Sequence, residues 1–183
     1  MFGDPHIVTL DGLRYTFNGR GEFTLIETVD DSFTLQGRMV QATDINGIQV
    51  AATVFSAIAA KQDDSDTVQF VLSRRGLDIL VNGTRIEDVT AIPYNGVNII
   101  VQENNTFGAI FSNGAYVEVK EENGLSLSVV VSLPISFKGK TRGLMGTYNG
   151  NTSDDLLPQS GTNPIPHSSS IQQIHDQFGT TCE

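Results

Sequence analysis

Apolar and polar residues alternate with a period of two along most of the chain as far as about Phe137. Leu13, Tyr15 and Phe17 fall on one side of an extended segment and Arg14 and Thr16 on the other, the pattern of a strand with one buried face. Val68, Phe70 and Leu72 alternate in the same way with Gln69 and Val71. Leu125, Leu127, Val129, Val131 and Leu133 alternate with Ser126, Ser128, Val130 and Ser132 over nine residues, which predicts the clearest strand in the chain. Asn18-Gly19, Asn46-Gly47, Asn82-Gly83, Asn95-Gly96, Asn113-Gly114 and Asn123-Gly124 lie between such segments. Each is a candidate two-residue reversal, because both central residues of that turn need positive φ. Short strands joined by tight reversals predict an all-β fold, an antiparallel β-sandwich of roughly ten to twelve strands.

Past Phe137 the character changes. Residues 143–157 form a Gly/Asn/Asp-rich loop and residues 158–168 a connector rich in Pro, Gly and Ser. Ser170 with Gln173 three positions later is a capping box, and Ile171, Ile174 and Phe178 follow helical spacing until Gly179. One short C-terminal helix over about 169–178 is expected to lay this stripe on a β body spanning about 5–140, with His175 packed at its rim. No repeat or low-complexity tract marks a second unit, so residues 1–183 are expected to form a single domain.

Composition narrows the class. Eleven basic against twenty-one acidic residues give a formal charge of −10, a surface that repels phosphate backbones and anionic lipid, so nucleic acid is not an expected partner. The most apolar stretch, residues 48–60, is interrupted by Gln49, Thr53 and Ser56 and is too short for a membrane helix, so no direct membrane insertion is expected. The chain opens without a basic region followed by an apolar core, and reads as an excised domain or processed fragment rather than an intact secretory precursor. Cys182 is the sole cysteine, which leaves a free terminal thiol or an interdomain disulfide as its two readings. Asn82, Asn104 and Asn151 head Asn-x-Ser/Thr sequons at expected turns, which matter if the chain passes through the secretory pathway.

Two segments could carry chemistry. The first is Gly3-Asp4-Pro5-His6, running on to Thr9-Leu10-Asp11-Gly12. An Asp-Pro bond is unusually acid-labile: the Asp4 carboxyl can attack its own carbonyl carbon while the Pro5 nitrogen leaves, and His6 stands where it could carry the proton. The same residues also read as an ordinary turn entering a strand. The second is Gly146-Thr147-Tyr148-Asn149-Gly150-Asn151-Thr152-Ser153-Asp154-Asp155, which crowds oxygen-bearing side chains on a tightly curving loop. Calcium takes six to eight oxygens of this kind, although EF-hand spacing is absent and an Asn/Asp turn has the same composition. No short-spaced His/Cys pair, nucleophile elbow or phosphate-binding Gly-Lys-Ser/Thr loop occurs.

Together the two segments resemble the opening and closing signatures of the von Willebrand factor type D domain. Gly143-Leu144-Met145-Gly146-Thr147-Tyr148-Asn149-Gly150 is similar to the family's Gly-Leu-Cys-Gly-Asn-Phe-Asp-Gly. Tyr15-Thr16-Phe17-Asn18-Gly19, Gly21-Glu22-Phe23 and Phe33-Thr34-Leu35-Gln36-Gly37-Arg38 look closest to the mucin-4, sushi domain-containing protein 2 and mesh branch. The resemblance implies a calcium site of Asp11, Asn149, Asp154 and Asp155, with Asn151 contributing its main-chain carbonyl. Thr147 and Asn149 replace an Asn and an Asp of the family pattern and lower the ligand charge. Met145 stands where the disulfide-rich relatives have cysteine, which removes that internal bridge. In some relatives the Asp-Pro bond of the opening signature cleaves itself, which makes Asp4, Pro5 and His6 the autocleavage candidates here. The implied role is a non-enzymatic module of a secreted or cell-surface protein. Its expected partners are neighbouring domains of the same polypeptide and extracellular or cell-surface proteins. A self-processing module is the alternative, and a secreted hydrolase with an unrecognised site is a third reading.

Overall fold

A computed structural model of the chain describes residues 5–88, 93–103 and 105–183. Asp4 and the sequon residue Asn104 lie outside the described residues. The architecture is all-β with one short C-terminal helix, as the alternation predicts. In chain order the strands are β1 (His6–Val8), β2 (Arg14–Thr16), β3 (Gly21–Thr28), β4 (Thr34–Thr43), β5 (Gln49–Lys61), β6 (Val68–Ser73) and β7 (Gly76–Val81). They continue with β8 (Thr84–Ile86), β9 (Val97–Gln102), β10 (Thr106–Phe111), β11 (Tyr116–Glu122), β12 (Ser126–Ser132) and β13 (Thr141–Arg142), and α1 spans Ile171–Gln177. β13 is two residues long and carries no alternation of its own.

β1 and β2 form a separate hairpin, and the other strands form one antiparallel sheet. Its main path runs β13-β3-β4-β5-β12-β11-β10-β9, and β6, β7 and β8 branch from β5. The sheet curls on itself. Four strand steps separate β4 from β10, about 19 Å if the sheet were flat, yet the rings of Phe33, at the entry to β4, and Phe111, at the end of β10, lie 5.5 Å apart, edge to face. Gln62, after β5, closes the far side by donating to Ser112 Oγ at 2.9 Å and accepting from Asn113 N at 2.8 Å. The core so enclosed is aromatic, with Phe17, Phe23, Phe33, Phe70, Phe111 and Phe178 among its largest fully buried side chains. Each contributes about 1.5–3 kcal/mol relative to exposure.

The Asn-Gly pairs divide by conformation. Asn82-Gly83 and Asn123-Gly124 have positive φ at both positions and are the expected two-residue reversals. At Asn46-Gly47 and Asn113-Gly114 the glycine alone is positive, in longer turns, and Asn95-Gly96 is a two-residue reversal between the bridged Tyr94 and Val97 in which again only the glycine is positive. Asn18-Gly19 is not a reversal. Gly19 has no positive φ, and it is small because a Cβ there would stand 2.6 Å from the rings of Phe17 and Phe23. The run expected to bury five apolar residues along β12 buries Leu127 fully, while Val129, Val131, Leu125 and Leu133 are half-buried, because one side of this strand borders an open cleft.

The capping box of α1 forms as predicted, with Ser170 Oγ accepting from Gln173 N and the Gln173 side chain accepting from Ser170 N. A seven-residue helix is too short to persist alone, and it is held by Ile174 and Phe178, which are buried, whereas Ile171 is 47% exposed and lies off the packed stripe. Phe17 anchors the arrangement from the body: His175 stacks on it at 5.6 Å, and a Cβ at Gly179 would come within 2.0 Å of its ring. Cys182 follows in the core. It is fully buried, and burial pushes its thiol up to about 11. Gly179→Ala is expected to cost about 1–3 kcal/mol by overpacking this slot and to expose the Cys182 thiol to an aromatic disulfide reagent. Urea unfolding and the rate of thiol labelling check it, and an unchanged labelling rate would show that the slot does not hold the terminal segment.

Candidate functional site

The closing loop is positioned by an irregularity in β3. Its pairing with β4 skips Leu25, between Thr24↔Gln36 and Ile26↔Leu35. The bulge turns carbonyls of β3 toward the segment that follows β13. Leu144 N donates to Thr24 O at 3.0 Å and Met145 N to Leu25 O at 2.8 Å. This approach is possible because residue 143 is glycine: φ there is +114°, and a Cβ would stand 2.7 Å from Leu25 O. A bulge that re-aims a neighbouring segment is a frequent device beside functional loops.

The N-terminal hairpin then clamps the loop from the other side. Leu10 N donates to Met145 O at 2.9 Å, and the Tyr15 hydroxyl donates to Leu144 O at 2.5 Å. Asp11 Oδ2 accepts three consecutive backbone N–H groups, from Asn149 at 3.0 Å, Gly150 at 2.8 Å and Asn151 at 3.0 Å. These are charge-assisted bonds to an array of amides curved around one anion. The carboxylate thereby fixes the loop across 138 to 140 positions of sequence.

Asp155 sits deeper, 1% exposed. Thr9 Oγ1 donates to its Oδ2 at 2.6 Å and Thr147 N to its Oδ1 at 3.1 Å. Burial raises the Asp155 carboxyl above the ordinary range, and the negative charges of Asp11 and Asp154 add to the rise, against the lowering by Thr9 and Thr147. Asp154 Oδ2 accepts from Asn149 Nδ2 at 2.8 Å, while Asp154 Oδ1 is buried without a hydrogen-bond partner. Asn149 Oδ1 accepts from Asn151 N at 2.7 Å. Asn151 Oδ1 is occupied by Ser153, at 3.2 Å from its N and 2.8 Å from its Oγ.

Asp11, Asn149, Asn151, Asp154 and Asp155 are thus brought into one neighbourhood. Among the described residues no three His, Cys, Asp or Glu side chains converge as a ready metal cluster. A cation here would take a mixed set of carboxylate, amide and main-chain oxygens. The arrangement leaves negative charge concentrated and one buried carboxylate oxygen orphaned, and both fit a hard cation. Thr9 is the residue that sequence reasoning missed. It reads as one polar position beside β1, yet its hydroxyl both accepts from Leu13 N at 2.9 Å and holds Asp155.

The remaining candidates are dispersed. Pro5 O accepts from Phe17 N at 3.1 Å, and exposed His6 places Nδ1 3.2 Å from Thr16 Oγ1. Asn82 lies on the β7–β8 turn, where its Oδ1 accepts from Thr67 N and its Nδ2 donates to Asp66. Asn151 is exposed at the loop surface. Cys182 is enclosed in the core, its thiol 3.7 Å from Phe178 O.

An antiparallel body whose first hairpin clasps a carboxylate-bearing loop near its far end defines a structural β module with an acidic site. The family profile described as von Willebrand factor type D domain matches residues 1–162, and the chain belongs to that family. It is 35% identical over 177 residues to human Sushi domain-containing protein 2, covering 94% of this chain and 21% of that protein. Protein mesh of Bombyx mori is 36% identical over 196 residues, 97% of this chain and 12% of that protein, and human Mucin-4 is 34% identical over 198 residues, 99% and 4%. The chain therefore spans a fifth or less, to rounding, of these relatives.

Asp11→Ala removes the acceptor of three amides and is expected to lower unfolding stability by about 2 kcal/mol. Urea denaturation checks the size. Hydrogen exchange that rises more at Asn149, Gly150 and Asn151 than at the β10–β11 amides checks the place.

Proposed function

We propose that the chain is a non-enzymatic, calcium-stabilised extracellular module, part of a longer secreted or membrane-anchored polypeptide, that serves domain–domain or cell-surface assembly. The observation that carries the calcium reading is the buried, unpartnered Asp154 Oδ1 beside Asp155. Asp11, Asn149, Asp154 and Asp155 would hold the ion with side-chain oxygens and Asn151 with its main-chain carbonyl. Bound calcium would neutralise the carboxylates, and the chain's own part is to present them on a loop already fixed by Asp11 and the β3 bulge. The main-chain role for Asn151 agrees with its side-chain oxygen being taken by Ser153. It also leaves Asn151, like Asn82 and Asn104, as a candidate glycan site.

The extracellular setting is supported by relatives that include Mucin-4 and Zonadhesin. Among the described residues no helix is long and apolar enough to cross a membrane.

Thermal melting in EDTA and then in millimolar calcium tests the reading. The expected result is an upward shift with calcium. In Asp154→Asn the EDTA melting temperature is expected to stay at or above that of the parent, because one negative charge is removed from beside Asp155, while the calcium shift disappears. No shift in the parent would overturn calcium stabilisation.

A second reading, self-processing at Asp4–Pro5, is favoured by the anchoring of the residues just after that bond. Phe17 N holds Pro5 O, and β1 pairs with β2 from His6 onward, so the downstream product would stay docked. Asp4 would be the intramolecular nucleophile and His6 the proton carrier. Incubation at mildly acidic pH is expected to remove Met1 to Asp4, and Asp4→Ala to abolish the loss. An unchanged intact mass after prolonged incubation would count against cleavage by this chain alone.

A further inference from the structure

The large sheet splits beside β5. On the edge of β5 away from β4, residues 57–60 pair with β6 and Phe55 pairs with Leu127 of β12, whereas among the described residues no strand pairs with residues 49–54 on that side. Past Leu127, residues 128–132 of β12 pair, among the described residues, with β11 alone. Had the Phe55–Leu127 register continued, Ser128 would face Val54 and Val129 would face Thr53. The strands diverge instead, and a cleft of about 560 Å³ opens between them, with residues 5–10 forming a third wall.

Three properties of this cleft point to an occupant. Among the described residues no Asp, Glu, Lys or Arg lines it, in a chain of net charge −10. Thr53, which lines it, is 3% exposed and its Oγ1 has no hydrogen-bond partner, a state that costs free energy unless a ligand group completes it. The free edge of β12 carries none of the usual protections. Residues 125–133 contain no charge and no proline, and Val130 is 58% exposed, although open edges are ordinarily blunted by such residues.

We propose that this cleft receives one extended, uncharged peptide strand from another polypeptide segment. Its backbone adds to the free edge of β12, one of its polar groups satisfies Thr53 Oγ1, and alternate apolar side chains pack toward Ile7, Leu127 and Met145. Five residues of β12 offer about 16 Å of edge, enough for a strand of that length. A folded second copy of this chain does not fit, because a strand already flanked by a sheet neighbour cannot enter between β5, β12 and β1. A purely apolar ligand would leave Thr53 and the strand edges unpaired. The cleft shares Thr9, Leu10 and Met145 with the clasp of the closing loop, but the proposed contacts, to the β12 edge and Thr53, use none of the acidic oxygens and do not depend on calcium.

Random heptapeptides displayed on phage, panned against the whole chain in calcium and again in EDTA, test it. The expected selection is uncharged sequences with alternating apolar positions. Once resynthesised, they should raise amide protection at residues 49–55 and 126–132 under both conditions, and lose binding when their backbone is N-methylated. Thr53→Val is expected to raise the melting temperature of the free chain yet weaken the peptide about five-fold, a split that a purely structural role for Thr53 would not produce. Overturning results are no enrichment, enrichment of charged or proline-rich sequences, a footprint away from the cleft, protection by oleate but not by peptide, or an affinity indifferent to Thr53→Val. An absent calcium melting shift with the peptide footprint intact would count against the calcium reading alone.

Discussion

One carboxylate oxygen holding three successive backbone amides is the contact on which the site depends. Asp11 reaches Asn149, Gly150 and Asn151 from the opposite end of the sequence, and without it these three successive amides would lose their shared acceptor, although Thr9 and the β3 bulge would still hold the segments on either side. The remaining contacts follow in sequence. The loop so held brings Asp155 under Thr9, Thr9 closes the turn to Leu13, and the turn starts β2, whose register puts Tyr15 and Phe17 into the core. Structure and acidity are therefore inseparable in this corner: the groups that would meet a cation are the groups that tie the first hairpin to the body.

The concentration of negative charge is tolerated because its members have different partners. Asp11 spends one oxygen on amides, Asp155 is divided between a hydroxyl and an amide, and Asp154 has one oxygen satisfied and one not. The raised Asp155 carboxyl is the electrostatic signature of this crowding, with desolvation first and the two neighbouring charges after it. Thr147 donates its backbone N–H to Asp155, so the position where the family pattern has an amide side chain still serves the site through its main chain.

Local features were readable from the chain and long-range ones were not. Period-two alternation located β2, β6 and β12, and the Ser170/Gln173 pair located α1, because each depends on neighbours within a few residues. The Asn-Gly pairs were less reliable, since tertiary packing decides which of them turn: Gly19 is small to admit two phenylalanine rings rather than to reverse the chain. The coincidence of Asp11 with the closing loop came from family resemblance and has no periodic signal. Neither the hydroxyl bridge from Thr9 nor the branching of β5 into two partners leaves a mark in sequence, because both depend on where distant strands end. The half-burial of β12 has the same origin: apart from Val130 its alternation is that of a strand with one buried face, but what stands opposite is a cleft.

The distance in sequence between Thr9 and Asp155, 146 positions, also has a kinetic meaning. Hairpins such as β6–β7 and β10–β11 join residues close along the chain and can form early, whereas closing a loop of that length is entropically unfavourable until much of the sheet already exists. The clasp is thus a late event in folding. Interactions made after the rate-limiting barrier chiefly slow unfolding, so any stabilisation of this corner would lengthen the lifetime of the native state far more than it would hasten its arrival. Wherever unfolding is followed by irreversible loss, lifetime is the quantity that counts.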